Sequence, residues 1–349
     1  MKAEEIAKLA GVSRSTVSRV INNYSNVPEE TKKKVMEVIA QYNYRPNAFA
    51  RTLAGKKSET IGVFFVISGA LNGEQRLFHN DFFTAYLDSI VDLANNLGYY
   101  VLVQTIYNDD DFDKVSKAFM EKRIDGGILI GTRRDTLERI QLETIDSPLV
   151  IFDYDPNEIT VSEKTALNIT LINTLDKKGI AYCVKYLKER GHKRIGFIKG
   201  NHQTLAARSR YDAYQEALKE NQLDFKEELI LEGEFEQKIA YQAMENAIQK
   251  KQVADAYICS NDYMAIAAIE CLRDHGYTIP DEVSFIGFDN TYTGQLMNPK
   301  LTTISIDYHQ MAKKAIDIIS NSLKEAQPKS SVPNLIEFDV LLIERDSVN

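Results

Sequence analysis

The sequence contains few of the residues on which metal centres and disulfide frameworks depend. Its three cysteines, Cys183, Cys259 and Cys271, lie far apart in apolar segments, and its five histidines are scattered along the chain. An odd number of widely spaced cysteines indicates buried thiols in a reducing compartment, not a disulfide framework or a pair of metal ligands. We therefore expect no metal site, no cofactor and no catalytic histidine.

Long apolar runs are also missing. No stretch approaches the roughly 20 apolar residues that a membrane-spanning helix needs. The chain begins MKAEE, with acids where a signal peptide would have a hydrophobic core. We therefore expect a cytoplasmic protein that does not contact a membrane.

Three glycine motifs of enzymes are absent: Gly-x4-Gly-Lys-Ser/Thr, Gly-x-Ser-x-Gly, and Gly-x-Gly-x-x-Gly after a strand. These motifs cradle phosphates, expose a nucleophile or bind dinucleotides. A sugar kinase or a nucleotide-dependent oxidoreductase stays open as an alternative, because one fold can host many activities. The expectation is nevertheless a protein that is not an enzyme.

The net charge of -8 is unevenly distributed along the 349 residues. Residues 1–57 hold eleven lysines and arginines against five glutamates, which leaves +6 there and -14 in the remainder. A chain of this length is expected to form more than one domain. A small basic segment joined to a large acidic one indicates that the first contacts a polyanion and the second does not.

Two short helices joined by a tight turn are predicted within residues 6–22, IAKLAGVSRSTVSRVIN. The inward side chains are predicted to be Ile6, Ala7, Leu9 and Ala10 on the first helix and Val17, Val20 and Ile21 on the second. Gly11 can end the first helix in the left-handed conformation, and Ser13 can cap the second. Arg14 and Arg19 face outward with no acid beside them, which favours a DNA-binding helix-turn-helix over an ordinary helical hairpin.

A third helix is predicted to begin at Pro28 and to complete a helix-turn-helix domain over residues 1–45. Residues 46–58 are predicted to form a hinge helix and a basic linker. The helical part, residues 47–54, is too short to be stable alone in water. We expect it to become ordered only against a surface.

Strands and helices alternate from residue 59 to the end of the chain. Strands are predicted at 61–66, 100–105, 127–130, 149–153, 195–199, 229–231, 256–260, 283–289 and 336–342. Helices are predicted at 83–96, 113–122, 176–190, 207–221, 239–250, 262–275 and 308–326. This alternation predicts doubly wound parallel sheets, and the number of elements predicts two lobes. The first lobe is expected at 59–162 and 291–323, and the second at 163–290 and 324–349.

Four further segments, RPNAFARTLAG, GHKRIGFIKG, SNDYMAIAAI and VSFIGFDN, follow the helix-turn-helix in order. Together they resemble the family of the lactose and galactose repressors over essentially the whole chain. The resemblance implies an α plus α/β architecture, in which a three-helix DNA-binding domain precedes a body like that of periplasmic sugar-binding proteins. It also implies a homodimer that binds an inverted-repeat operator in double-stranded DNA and is controlled by a small-molecule effector.

The same resemblance implies roles for residues of the first domain. Arg14 and Ser15, with Arg19 as a third candidate, correspond to positions that read bases in the major groove, where arginine suits guanine. Phosphate contacts are implied for Ser13, Thr16, Ser18 and Asn22. In the hinge, Leu53 corresponds to a leucine that enters the minor groove, Ala50 packs two hinge helices together and Asn47 lies nearby. Leu53 packed into the core of the body is the alternative.

Two departures from the family pattern concern helix starts. Lys2 and Ala3 stand where the family has a hydroxyl cap and a bulky aliphatic residue, and Pro28 replaces a capping serine. The cap of the first helix and one core contact are therefore in question. Neither change affects a residue expected to read bases.

The effector contacts that the family pattern implies are Phe82, Asp153, Arg210, Phe235, Asn261 and Asp289. Most of them follow predicted strands, and ligands of open parallel sheets bind beyond the carboxyl ends of the strands. Polar groups suit the hydroxyls of a neutral sugar and aromatic rings its C–H face. A small neutral sugar is therefore expected, and a purine is the second candidate because the same groups hold nucleobases.

Each of these side chains also has a structural alternative. Asp262 is predicted to be a helix N-cap, Asp153 and Asp289 could be turn residues, and Arg208 could form an external salt bridge. Phe83 could replace Phe82 in the site. The segment 68–78 could cover the cleft or lie on the surface, and a pure solute-binding protein is disfavoured by the basic first domain.

Overall fold

The computed structural model divides the chain into two compact units, Met1–Ser58 and Glu59–Asn349. The described residues are 1–22, 24–44, 57–67, 77, 80–140, 142, 145–159, 168–325, 330 and 332–349. The predictions made for Asn47, Ala50 and Leu53 lie outside them, as does almost all of the segment 68–78.

Three helices form the described part of the first unit: α1 Ala3–Ala10, α2 Arg14–Ile21 and α3 Glu29–Gln41. Their core consists of Ile6, Ala7, Ala10, Val17, Val20, Val27 and Val35. The prediction of a three-helix domain is confirmed, but the inward placement of Leu9 is wrong, because this residue is 48% exposed. At 3.6 residues per turn, Leu9 lies about 100° around α1 from the middle of the buried stripe.

Two parallel sheets form the second unit. Their strands are β1 Thr60–Val66, β2 Tyr100–Ile106, β3 Gly126–Ile130, β4 Leu149–Phe152, β5 Ile169–Thr174, β6 Ile195–Lys199, β7 Ile230–Glu232, β8 Ala256–Cys259, β9 Ser284–Asp289, β10 Thr302–Ser305, β11 Asn334–Phe338 and β12 Leu341–Ile343. The first sheet has the order β11-β5-β4-β3-β1-β2, and the second has the order β12-β10-β9-β8-β6-β7. Within these sheets, β12 is antiparallel to β10, and the other pairings are parallel.

Helices follow most of the strands. They are α4 Asp81–Asn96, α5 Asp113–Met120, α6 Asp176–Glu189, α7 Leu205–Glu220, α8 Gln237–Gln249, α9 Asp262–Asp274, α10 Tyr292–Leu296 and α11 Tyr308–Lys324. The central strands β3, β4 and β8 are buried along their whole length, as expected for strands covered on both faces. The doubly wound architecture predicted for the body is therefore confirmed.

The boundaries between the lobes differ from the prediction. β5 lies within residues expected to begin the second lobe, yet it pairs with β4 in the first sheet. β10 was expected in the first lobe, yet it pairs with β9 in the second sheet. The chain therefore crosses between the lobes after β5 and after β10, later than predicted in both cases.

A third crossing separates the last two strands. The single strand predicted at 336–342 is wrong, because β11 pairs with β5 in the first sheet and β12 pairs with β10 in the second. Asp339 and Val340 connect the two strands, and the buried Val340 packs into the core. Three connections thus join the lobes within the described residues of the second unit.

Candidate DNA-binding face and effector cleft

The turn between α1 and α2 has the geometry of a helix-turn-helix. Gly11 ends α1 with φ at 66°, a left-handed conformation that glycine adopts without a Cβ penalty. The Ser13 hydroxyl accepts a 3.1 Å hydrogen bond from the Thr16 backbone N–H and caps α2. Before α1, the Glu5 carboxylate accepts a 2.7 Å bond from the Lys2 backbone N–H, which supplies the N-terminal contact that the sequence left in question.

The residues expected to read DNA lie along one exposed part of α2. Arg14, Ser15, Ser18 and Arg19 are exposed, while Thr16 and Asn22 are half-buried. Arg14 forms a 3.1 Å ion pair with Glu4 of α1, and both side chains are more than half exposed. An exposed pair of this kind is worth about 1 kcal/mol or less, so Arg14 can exchange Glu4 for another acceptor at small cost.

A cavity of about 110 Å³ lies between the two lobes of the second unit. The six side chains expected to contact an effector all line it: Phe82, Asp153, Arg210, Phe235, Asn261 and Asp289. Phe83 lines it as well, so the choice between the two phenylalanines does not arise. Both lobes contribute to the wall, and a ligand held there would contact both of them.

Several residues of the wall have backbone conformations that side chains rarely adopt. Asp153 follows β4 with φ at 53°, Asp289 ends β9 with φ at 108°, and Phe235 has φ at 62°. Each such residue costs on the order of 1 kcal/mol or more, and these conformations cluster at functional sites. Asp153 lies directly after β4 and Asp289 is the last residue of β9, and both line the cavity.

The ring of Phe235 lies directly over Gly200 in the cavity wall. A Cβ on Gly200 would stand 2.2 Å from the nearest ring carbon, so only glycine allows this position of the ring. On the other side, Phe82 makes edge-to-face contacts with Phe83, Tyr86 and Tyr308. Aromatic surface thus comes from both lobes.

Arg210 crosses the base of the cavity with its guanidinium buried. Its Nε donates a 2.9 Å bond to Asp176 Oδ2, and its Nη1 donates a 2.6 Å bond to the Ser260 carbonyl. The Asp289 Oδ1 lies 4.0 Å from Nη1, and no described residue donates a hydrogen bond to that oxygen. An unpaired buried carboxylate oxygen is costly, so Asp289 is the acceptor best placed for a ligand hydroxyl.

Burial also alters the acidity of the cavity carboxyls. Loss of solvation, with the Asp176 charge next, raises the pKa of Asp153 to about 7. Burial likewise raises the pKa of Asp289 well above its ordinary value, although the charge of Arg210 lowers it. These side chains therefore hold protons at a higher pH than exposed aspartates do, and protonated carboxyls can donate to a ligand as well as accept.

Asp262 does not cap a helix, and that prediction is wrong. Asn261 is the cap, since its side-chain oxygen accepts a 2.9 Å bond from the Met264 N–H. Asp262 is fully buried and accepts bonds from the Thr291 N–H, the Thr291 hydroxyl and the Thr303 hydroxyl. It connects α9 with Thr291, between β9 and β10, and with Thr303 in β10.

Polar contacts join the lobes on either side of the cavity. Glu158 accepts a 2.6 Å bond from Arg134 of its own lobe and a 2.7 Å bond from Arg208 of the other. In a second contact, the Asp81 carboxylate of the first lobe accepts a 3.1 Å hydrogen bond from the Thr293 hydroxyl of the second. Arg208 forms a salt bridge, as predicted, but it is only 20% exposed and connects the lobes.

Sequence reasoning missed several residues of the site. The cavity is also lined by Asn80, Thr132, Asn201, Thr204 and Glu234. Asn80 and Thr204 are the N-caps of α4 and α7, a role readable from sequence, but their place in the wall depends on the folded lobes. Asp176 gave no signal, because its partner Arg210 is 34 residues away in the chain.

Raising the pH is expected to destabilise the second unit between about pH 4 and pH 7. Asp153 has a folded pKa of about 7 against 3.8 for an ordinary aspartate, so the folded state binds more protons in this window. The stability that this proton supplies is complete below pH 4 and is lost as the pH rises through 7. Thermal unfolding of the full chain measures the effect. Asp153→Asn should flatten the pH profile, Asp110→Asn should not, and an unchanged slope in Asp153→Asn would count against this assignment.

Among the residues described, no helix is both long and apolar enough to cross a bilayer. The same residues contain no group of three or more histidine, cysteine or acidic side chains placed to hold a metal ion.

Comparison with known proteins gives two family matches and many full-length relatives. Residues 3–47 match the bacterial regulatory proteins of the lacI family, and residues 184–348 match the periplasmic binding protein-like domain. The probable HTH-type transcriptional repressor ExuR of Bacillus subtilis strain 168 is 32% identical over 99% of this chain and 97% of its own. The HTH-type transcriptional repressor PurR of Haemophilus influenzae strain PittEE is 29% identical over 99% of this chain and 98% of its own.

Solved structures share the fold of the whole chain. A lac repressor dimer bound to operator and the anti-inducer ONPF has a TM-score of 0.76 at 24% identity, covering 99% of this chain and 98% of that one. The complex of the transcriptional regulator CelR with cellobiose has a TM-score of 0.72 at 24% identity, covering 99% of both chains. The chain therefore belongs to the lacI family of bacterial regulatory proteins, with a helix-turn-helix unit and a periplasmic-binding-protein-like body.

Proposed function

We propose that this regulator is a DNA-binding repressor of genes for carbohydrate uptake or breakdown, controlled by a small neutral sugar bound between its lobes. The observation that carries the proposal is the convergence of six polar and aromatic side chains on one interlobe cavity, in a chain that also contains a helix-turn-helix. The protein acts in the cytoplasm and is not an enzyme.

DNA recognition is assigned to the exposed part of α2. Arg14 and Ser15 lie in its first turn, where side chains reach base edges when a recognition helix enters the major groove. The guanidinium of Arg14 can donate two hydrogen bonds to guanine O6 and N7, and Arg19 offers a second guanidinium. Hydroxyls and amides at Ser13, Thr16, Ser18 and Asn22 would contact phosphates and fix the register of the helix.

Arg14→Ala is expected to remove discrimination at one base pair of the operator. The lost bidentate contact with guanine corresponds to about 1–3 kcal/mol at that position. Fluorescence anisotropy with a set of single-base operator variants, at one fixed salt concentration, measures the effect. Ser18→Ala serves as the comparison, because loss of a phosphate contact should weaken binding to every variant equally. Equal weakening of all variants by Arg14→Ala would refute its role in base readout.

The sugar assignment rests on the chemistry of the cavity wall. Asn261, Asp153 and Asp289 offer donors and acceptors to neighbouring hydroxyls, and the Phe235 ring offers an apolar face to the C–H surface of a sugar ring. A purine is the second candidate, because Phe82 and Phe235 bring aromatic surface from both lobes. Carboxylates accept from the N–H groups of a nucleobase in the same way.

A homodimer is supported by exposed apolar side chains at one edge of the first sheet. β2 is the last strand of that sheet, and it presents Tyr100, 71% exposed, and the exposed Val103. Leu97, just before the strand, is exposed as well. An edge strand with exposed apolar side chains is a typical surface for association. A twofold dimer would pair two recognition helices with an inverted-repeat operator.

Effector control follows from the position of the cavity between the lobes. A ligand that contacts both lobes stabilises one lobe arrangement over others by its difference in binding free energy. That difference sets the change in operator affinity, whether the ligand releases DNA or strengthens its binding.

A further inference from the structure

Asp176 holds the buried guanidinium of Arg210 from the side. Its Oδ2 lies 2.9 Å from Arg210 Nε and its Oδ1 lies 3.5 Å from Nη2, and each side chain is only 4% exposed. The Thr174 hydroxyl donates a 2.6 Å bond to the same Oδ1 and fixes the carboxylate. A side-on pair of this kind matches the fork of an arginine with both oxygens of a carboxylate.

The remaining contacts leave Arg210 little freedom to move toward a charged ligand. Its Nη1 donates to the Ser260 carbonyl at 2.6 Å, and its guanidinium carbon lies 3.5 Å from the centre of the Phe288 ring. Because both charges of the pair are removed from water, their mutual attraction is strong and little screened by salt. The positive charge of Arg210 is therefore already neutralised by Asp176 where Arg210 lines the cavity.

The other acidic groups of the wall also disfavour a negatively charged ligand. Asp153, Glu234 and Asp289 line the cavity together with Arg210. Burial raises the pKa of Glu234, as it does for the two aspartates, which means that further negative charge is unfavourable there. A carboxylate or phosphate on a ligand would meet these groups without a free cation among the described residues of the wall.

Asp176 lies next to the first crossing of the chain between the lobes. It is the first residue of α6 and follows β5, the strand after which the chain first crosses between the lobes. Arg210, its partner, lies on α7 of the second lobe. The pair thus connects a crossing segment with the base of the cavity.

We propose that Asp176 is a specificity-determining residue of the effector site: by cancelling the charge of Arg210, it makes Arg210 a donor to neutral oxygens and excludes acidic sugars. This inference rests on the proposed function of the cavity as a sugar site. The ligand class is then neutral monosaccharides, and uronates and sugar phosphates of the same ring bind poorly.

Titration calorimetry on the full chain tests this with matched pairs of probes. D-galactose is compared with D-galacturonate, and D-glucose with D-glucuronate, for the wild type, Asp176→Asn and the control Asp212→Asn. Asp212 is an exposed residue on the same helix as Arg210. We expect the wild type and the control to prefer the neutral sugar, and Asp176→Asn to shift the affinity ratio toward the uronate by about tenfold or more.

A second variant covers the case in which Asp176→Asn does not fold. Thr174→Val removes the hydroxyl that fixes the carboxylate and should shift the ratio in the same direction, but less. A folded variant with an unchanged ratio would overturn the role of Asp176 and leave the neutral-sugar proposal standing. A wild type that prefers uronates would overturn both. If neither sugar of either pair binds any of these proteins, the proposed sugar effector itself is wrong.

Discussion

Arg210→Ala should abolish effector binding and lower the free energy of unfolding of the second unit by about 3–5 kcal/mol. Arg210 is buried, and its guanidinium is the partner of the buried Asp176. Its removal leaves an uncompensated carboxylate in a low-dielectric interior, together with the Ser260 carbonyl that had accepted from Nη1. It also removes the one cationic side chain that the described part of the cavity wall presents.

Urea unfolding and calorimetric titration with candidate sugars measure the two consequences separately. Arg139→Ala is a suitable control, because Arg139 pairs with Asp109 and Asp135 at the surface. A surface ion pair contributes about 1 kcal/mol or less to the free energy of unfolding, and Arg139 lies outside the cavity. Retained sugar binding in Arg210→Ala would remove Arg210 from the site, and an unchanged unfolding free energy would show that Asp176 does not depend on it.

Asp262→Ala should destabilise the second unit by about 3–4 kcal/mol. Its carboxylate is fully buried and accepts hydrogen bonds from the Thr291 N–H at 2.7 Å, the Thr291 hydroxyl at 2.9 Å and the Thr303 hydroxyl at 2.6 Å. Truncation leaves these donors unsatisfied where water cannot replace the carboxylate. The loss exceeds that of a typical substitution, because several buried polar groups lose the same partner.

The comparison for this variant is Asp274→Ala, at the other end of α9. Asp274 accepts a bond from the Tyr241 hydroxyl at the surface, so its loss should cost about 1 kcal/mol or less. Asp262→Asn should fall between the two, since an amide oxygen in place of Oδ2 can still accept from the Thr291 N–H and hydroxyl, while the NH2 group cannot accept from Thr303. Equal unfolding midpoints for Asp262→Ala and Asp274→Ala would show that the network around Asp262 does not stabilise the unit.

Local signals account for the parts of the structure that could be predicted. The helix-turn-helix depends on a small residue, a left-handed glycine and a capping serine within a dozen positions, and Gly11 and Ser13 take those roles. The alternating strands and helices of the body are local patterns as well. Their existence and order were therefore readable before any long-range contact was known.

Long-range pairing accounts for what could not be predicted. β5 carries the polar residues Thr170, Asn173 and Thr174, so it resembles a linker in sequence, yet all three are buried by neighbours distant in the chain. Asn261 and Asp262 are adjacent polar residues at a helix start. Which one caps the helix depends on Thr291 and Thr303, whose position follows from the fold of the second lobe.

We expect the first unit to bind DNA selectively and a ligand between the lobes to change its affinity for DNA. The direct test is to immobilise the full chain, offer sheared genomic DNA at low ionic strength, and sequence the retained fragments with and without a panel of neutral sugars. We expect enrichment of fragments that share an inverted repeat, with one sugar changing their affinity by about five- to 150-fold. Equal retention of all fragments would contradict selective DNA binding by the first unit.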